Sequence, residues 1–77
     1  MKKEEFIDLF VEELEIEDVE VTLQTELSSL DEWDSMAVLS VIAIASDNFG
    51  VKVSAQQLKD VKIVEDLIKV IGVEKFN

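Results

Sequence analysis

Apolar residues recur along this chain with a helical period in three places. From about Lys3 to Glu15, Phe6, Leu9, Phe10 and Leu14 share one face, flanked by Ile7 and Val11. Acids at positions 4, 5, 8, 12 and 13 fill the other side, and the earliest of them suit the positive end of a helix dipole. From Ser35 to Phe49 the pattern is stronger. Val38, Val41, Ile42, Ala45 and Phe49 form a stripe, while Met36, Ala37, Leu39, Ala43 and Ile44 spread apolar character around most of the circumference. Such a helix is either central in a bundle or docks against something else. Asn48-Phe49-Gly50 supplies its stop, with glycine at the left-handed cap position. The third stretch runs from about Val64 to Ile71, with Val64, Leu67, Ile68 and Ile71 facing inward and Gly72 ending it.

The intervals carry other signals. Residues 16–34 form a long irregular segment. Val19, Val21 and Leu23 alternate with polar residues, but no partner strand is evident, so the segment reads as a loop. Leu23, Leu27 and Leu30 are its expected anchors to the core. Loops of this length in a compact domain are uncommon and often functional. Ser54-Ala55-Gln56-Gln57 matches a capping box and predicts a short helix through about Asp60. The expected fold is all-α: an irregular four-helix bundle, three main helices plus one short helix, with a long first loop. A chain of 77 residues holds a single domain, 1–77.

Charge narrows the function. Seven lysines against 18 acids give a net charge of −11. Residues 1–35 hold 13 of the acids and two of the lysines. Such a surface repels nucleic-acid phosphates, so no nucleic-acid partner is expected. It attracts enzymes with basic docking patches. No signal-like apolar stretch follows Met1-Lys2-Lys3-Glu4-Glu5. The longest apolar run, Met36 to Ala45, is interrupted by Ser40 and too short to span a bilayer. The expectation is a cytoplasmic monomer with no membrane partner.

The residue inventory excludes much chemistry. With no histidine and no cysteine, Ser-His and Cys-His nucleophile pairs and sulfur or imidazole zinc sites are absent. The acids Asp31, Glu32 and Asp34 do not have calcium-loop spacing and read as a solvated loop leading into a helix. The chain is not expected to be an enzyme. Trp33-Asp34-Ser35-Met36 lies where the long loop meets the most apolar helix. Helix capping by Asp34 or by Ser35 accounts for the pair on local grounds. A phosphate on Ser35 would also be favoured there, because a helix N-terminus presents unpaired N–H groups to an anion.

These residues, in order, resemble the acyl carrier protein family over nearly the whole length. The shared pattern is Asp34-Ser35-Met36 at the start of the second helix, after a loop bearing Leu27 and Leu30. It continues with Phe49-Gly50-Val51, the short capped segment and Val64-Glu65-Asp66-Leu67. The resemblance implies that a phosphopantetheinyl transferase places 4′-phosphopantetheine on the Ser35 hydroxyl. The arm then holds acyl or aminoacyl groups as thioesters, for acyl-loading and acyl-transferring enzymes of fatty-acid or related biosynthesis. It implies cofactor-handling roles for three residues: Ser35 as the attachment point, Asp34 helping the transferase hold Mg²⁺, and Met36 on the docking face. The apolar residues of the second helix would shelter an acyl chain.

Two departures bear on partners. Ala37, Ser40 and Ser46 stand where fatty-acid carriers commonly have acids, and Trp33 replaces the usual small residue. Leu30-Asp31-Glu32-Trp33-Asp34-Ser35 is more similar to stand-alone carriers of specialised pathways, including D-alanyl carriers. The alternative from another class is an unmodified acidic adaptor that binds a partner and carries nothing.

Overall fold

The computed structural model describes residues 1–76. Three α-helices, α1 (Lys3–Leu14), α2 (Ser35–Phe49) and α3 (Val64–Ile71), surround one apolar core. Three short 3₁₀ turns, Leu27–Ser29, Gln57–Lys59 and Val73–Lys75, lie in and after the connections.

The all-α expectation holds, with one refinement. The short fourth helix expected through Asp60 is a 3₁₀ turn that ends at Lys59. Its capping box forms: Ser54 N–H donates to Gln57 Oε1 at 2.9 Å, and Gln57 N–H donates to Ser54 Oγ at 3.2 Å. Leu58 is its only buried residue. With a single side chain to bury, nothing demands the 3.6-residue period, and the tighter turn suffices.

Helix α1 buries Phe6, Phe10 and Leu14, while Leu9 is only half-buried. It stops at Leu14, one residue before the expected Glu15. Glu15 adopts φ 55°, and Ile16 N–H returns to the Val11 carbonyl at 3.0 Å. This left-handed closure satisfies the last carbonyls and turns Ile16 into the core.

The long first loop is a loop, as expected, and it does find a pairing partner. Glu26 and Ile63 form one antiparallel bridge. Leu27 N–H donates to the Lys62 carbonyl at 2.8 Å, Val64 N–H to Thr25 at 3.1 Å and Glu65 N–H to Leu23 at 3.0 Å. The first-turn N–H groups of α3, which have no partner inside the helix, thus satisfy carbonyls of the loop. Leu27 and Leu30 are buried beneath, and Leu23 is half-buried.

Asp66 completes the start of α3. One carboxylate oxygen accepts Lys62 N–H at 2.9 Å and Ile63 N–H at 3.2 Å. These two bonds hold the Asp66 carboxyl below its ordinary 3.8, helped by the nearby Lys69 and Lys62 charges. A depressed folded value means stabilisation that is present above the unfolded carboxylate range. It is lost as pH falls through the folded value. Asp66→Asn is therefore expected to flatten the acid limb of the stability curve below about pH 4. Urea titrations of both forms across that range test it, and an unchanged acid limb would refute it.

The core is built on aromatic contacts. Phe6 lies 6.4 Å from Phe10 and meets Phe76 edge-on at 5.7 Å, and Phe76 lies 4.9 Å from Phe49. Phe76 had no place in the sequence pattern. The last 3₁₀ turn carries it back over Phe6.

Candidate functional site

The site is the junction of the long loop with α2. Buried Leu30 pins the loop end, and Trp33 N–H donates to its carbonyl at 3.1 Å. Trp33 packs half-buried on Phe10, with ring centroids 6.1 Å apart. The chain then turns sharply into the helix at Asp34, in extended backbone at φ −139°. Asp34 Oδ1 accepts Ala37 N–H at 3.0 Å. Of the two capping candidates, Asp34 therefore caps α2, and the Ser35 hydroxyl is not needed for it. Ser35 is exposed as the first residue of α2, and Met36 beside it is 70% exposed. The structure thus brings Asp34, Ser35 and Met36 together on one exposed corner.

Losing this cap has a predictable consequence. Asp34→Ala should cost about 1 kcal/mol, whereas Asp34→Asn, an equally good cap, should cost almost nothing. Urea unfolding of the two variants checks this. Equal losses in both would show that charge, and not the Ala37 bond, is what matters.

Two hollows lie at the start of α2, and only the second is lined by Ser35. On the α1 side, a hollow of about 220 Å³ is lined by Glu13, Leu14, Glu32, Asp34, Met36, Ala37 and Ser40. On the other side, an open cleft of about 390 Å³ is lined by Trp33, Asp34, Ser35, Val38, Leu39, Ala55 and Lys59. Beyond Trp33 and Lys59, which line both, lies a larger hollow of about 640 Å³ reaching Leu27, Val61 and Ile63.

The burial pattern of α2 corrects the expected stripe. Ala37, Val41, Ile44 and Ala45 are buried, while Val38, Ile42 and Phe49 are half-buried. The inward face is rotated toward Ala37 and Ile44. That rotation places Val38 in the cleft wall and leaves Leu39 58% exposed at its rim. Ala55 and Lys59 were not singled out in the sequence. Their only signal was the Ser54–Gln57 capping box, which shapes the turn between them and does not show the cleft they border.

Comparison with known proteins decides the family. The model of the phosphopantetheine attachment site family matches residues 4–71. The chain is also 40% identical over 62 residues to the acyl carrier protein of Lactococcus lactis subsp. cremoris strain MG1363. This chain belongs to the acyl carrier protein family. The same identity is found with the acyl carrier proteins of strain SK11 and of Lactococcus lactis subsp. lactis strain IL1403. Each alignment covers 80% of this chain and 81% of the relative. No solved structure gives a significant match. The chain is a carrier with a covalently attached 4′-phosphopantetheine arm, and not an enzyme. It works with a phosphopantetheinyl transferase and with acyl-handling enzymes. Among the described residues, no helix is long and apolar enough to cross a membrane.

Proposed function

We propose that Ser35 is the attachment serine and that residues 1–77 act as a single carrier domain, monomeric and cytoplasmic. The observation that carries this reading is the division of labour at the start of α2. Asp34 takes the capping bond, so the exposed Ser35 hydroxyl is available for modification. The surroundings fit an arm that ends in a thiol and carries an apolar acyl group. Ser35 stands at the rim of an open cleft with Val38, Leu39 and Ala55 in its walls.

When bound, the arm supplies a thiol that holds acyl or aminoacyl groups as thioesters, a group the chain lacks because it has no cysteine. Ser35 Oγ would attack the coenzyme A phosphorus that bears the pantetheine, giving up its proton to a base of the transferase, while the pyrophosphate bond breaks and adenosine 3′,5′-bisphosphate leaves. The start of α2 stabilises the resulting negative charge through its N–H groups and dipole. Asp34 orients the turn with one oxygen and leaves the other for the Mg²⁺ that the transferase brings. Met36 and Leu39, both exposed, form an apolar docking face. Ala37, expected on this face from the sequence, is buried, but Ser40 and Ser46 leave the face of α2 with little charge, so docking there relies on shape more than on steering. The partners are loading and transferring enzymes of fatty-acid or related biosynthesis, of the specialised type that the Trp33 loop resembles.

The test is intact mass after incubation with coenzyme A, Mg²⁺ and a broad-specificity phosphopantetheinyl transferase, followed by peptide mapping. One phosphopantetheinyl group located on Ser35 is the expected result. A folded protein that no transferase loads would favour the adaptor reading.

A further inference from the structure

A phosphodiester attached to Ser35 has two neighbouring surroundings that differ in charge: an acidic hollow on the α1 side, and the cleft that Ser35 itself lines, where one cation faces Asp34. The α1 side presents Glu13, Glu32 and Asp34. The α2 side presents one cation, Lys59, in a lining that is otherwise apolar or uncharged except for Asp34 itself. Resting on the reading of Ser35 as the attachment point, we propose that Lys59 is a positioning residue. It pairs with the anionic phosphodiester on Ser35 and draws the arm into the cleft between Trp33, Val38, Leu39 and Ala55.

Three features support this. The backbone at Lys59 is held in place: Leu58 beneath it is buried, its own N–H donates to the Gln56 carbonyl at 3.2 Å, and the Ser54–Gln57 box closes the turn. Lys59 is one of only seven lysines in a chain with 18 acids, so a cation beside Ser35 runs against the general charge. A phosphodiester monoanion is repelled by Glu13 and Glu32 on the α1 side, whereas in the cleft Lys59 attracts it and offsets Asp34, which lines both sides. The direction of the arm follows from that difference. Lys59 also lines the larger hollow past Trp33, so an arm held there points its far end toward Val61 and Ile63. Lys62 provides a control, because it lines only the far hollow and not the cleft containing Ser35.

The experiment compares apo and holo forms of the wild type, Lys59→Gln, Lys59→Arg and Lys62→Gln. Intact mass verifies loading, and amide and indole NMR shifts report where the arm lies. In the wild type, loading should shift the Ala55 and Lys59 amides and the Trp33 indole. In Lys59→Gln the fraction of arm held in the cleft should fall about two- to fivefold, the range that an exposed charged contact supports. Lys59→Arg and Lys62→Gln should keep the wild-type shifts, and high salt should weaken them in every form that has them. Loaded protein whose shifts are the same in Lys59→Gln as in the wild type would overturn the role of Lys59. So would shifts confined to Ser35 and Met36. Failure to load at Ser35 is registered separately by mass, and it would overturn the attachment reading as well.

Discussion

Ser35→Ala should leave the protein folded and impossible to load. Two observations set the size of both effects. The Ala37 N–H that a capping hydroxyl would have taken is already bonded to Asp34 at 3.0 Å. Ser35 is exposed in the first turn of α2, so its replacement leaves no cavity. The expected stability change is within about 0.5 kcal/mol, as for surface substitutions away from caps and cores. Loading, by contrast, should be lost outright, because no other group takes the ester. The chain has no cysteine, which makes the readout simple. Any thiol titrated in folded protein after treatment with transferase, coenzyme A and Mg²⁺ belongs to the arm. The wild type should gain one phosphopantetheinyl group and one titratable thiol, and Ser35→Ala neither. A modified Ser35→Ala protein would place the attachment at another residue. An unfolded one, seen by circular dichroism, would give the serine a structural role that the geometry does not assign to it.

Phe6→Ala should come close to unfolding the protein. Phe6 is fully buried and touches three other aromatic rings, those of Phe10, Phe49 and Phe76. It thereby joins α1 to the end of α2 and to the C-terminal turn. Truncating a buried phenylalanine costs about 3–5 kcal/mol in lost transfer energy and residual cavity. A chain of this size has in total only about 4–12 kcal/mol, at roughly 0.05–0.15 kcal/mol per residue. The melting temperature should fall by roughly 15–30 °C. Phe6→Leu, which keeps most of the volume, should cost less than about 2 kcal/mol. Thermal melts of the three forms decide this. A melting temperature for Phe6→Ala within a few degrees of the wild type would mean that the aromatic cluster closes over the gap.

The site was more legible in the sequence than most of the packing around it. Asp34-Ser35-Met36 is a contiguous tripeptide at a loop–helix junction. Contiguity needs no tertiary information, and capping chemistry places such residues at a helix start wherever the helix packs. The sequence left the choice of cap between Asp34 and Ser35 open, because both residue types cap helices well. Only the extended backbone at Asp34 and its bond to Ala37 made that choice. The far wall of the cleft beside Ser35, formed by Ala55 and Lys59, was not legible. Lys59 lines the cleft with Ser35 although the two lie more than twenty residues apart in the chain, a proximity that no local pattern encodes.

What the sequence determined alone was local or periodic. Amphipathic α1 and α3 had one apolar face each, so their buried residues could be read from spacing. The stop at Gly50 and the Ser54–Gln57 box were set by neighbouring residues. Tertiary structure decided whatever the local pattern left degenerate. Helix α2 is apolar nearly all round, so its period does not say which face turns inward. Packing selected Ala37 and Ile44 over Val38 and Ile42 and so shaped the cleft wall. The short segment after Ser54 had one side chain to bury and settled as a 3₁₀ turn. The long loop had no strand partner in the pattern, yet Glu26 found Ile63, because the unpaired N–H groups at the start of α3 needed acceptors and the loop carbonyls lay within reach.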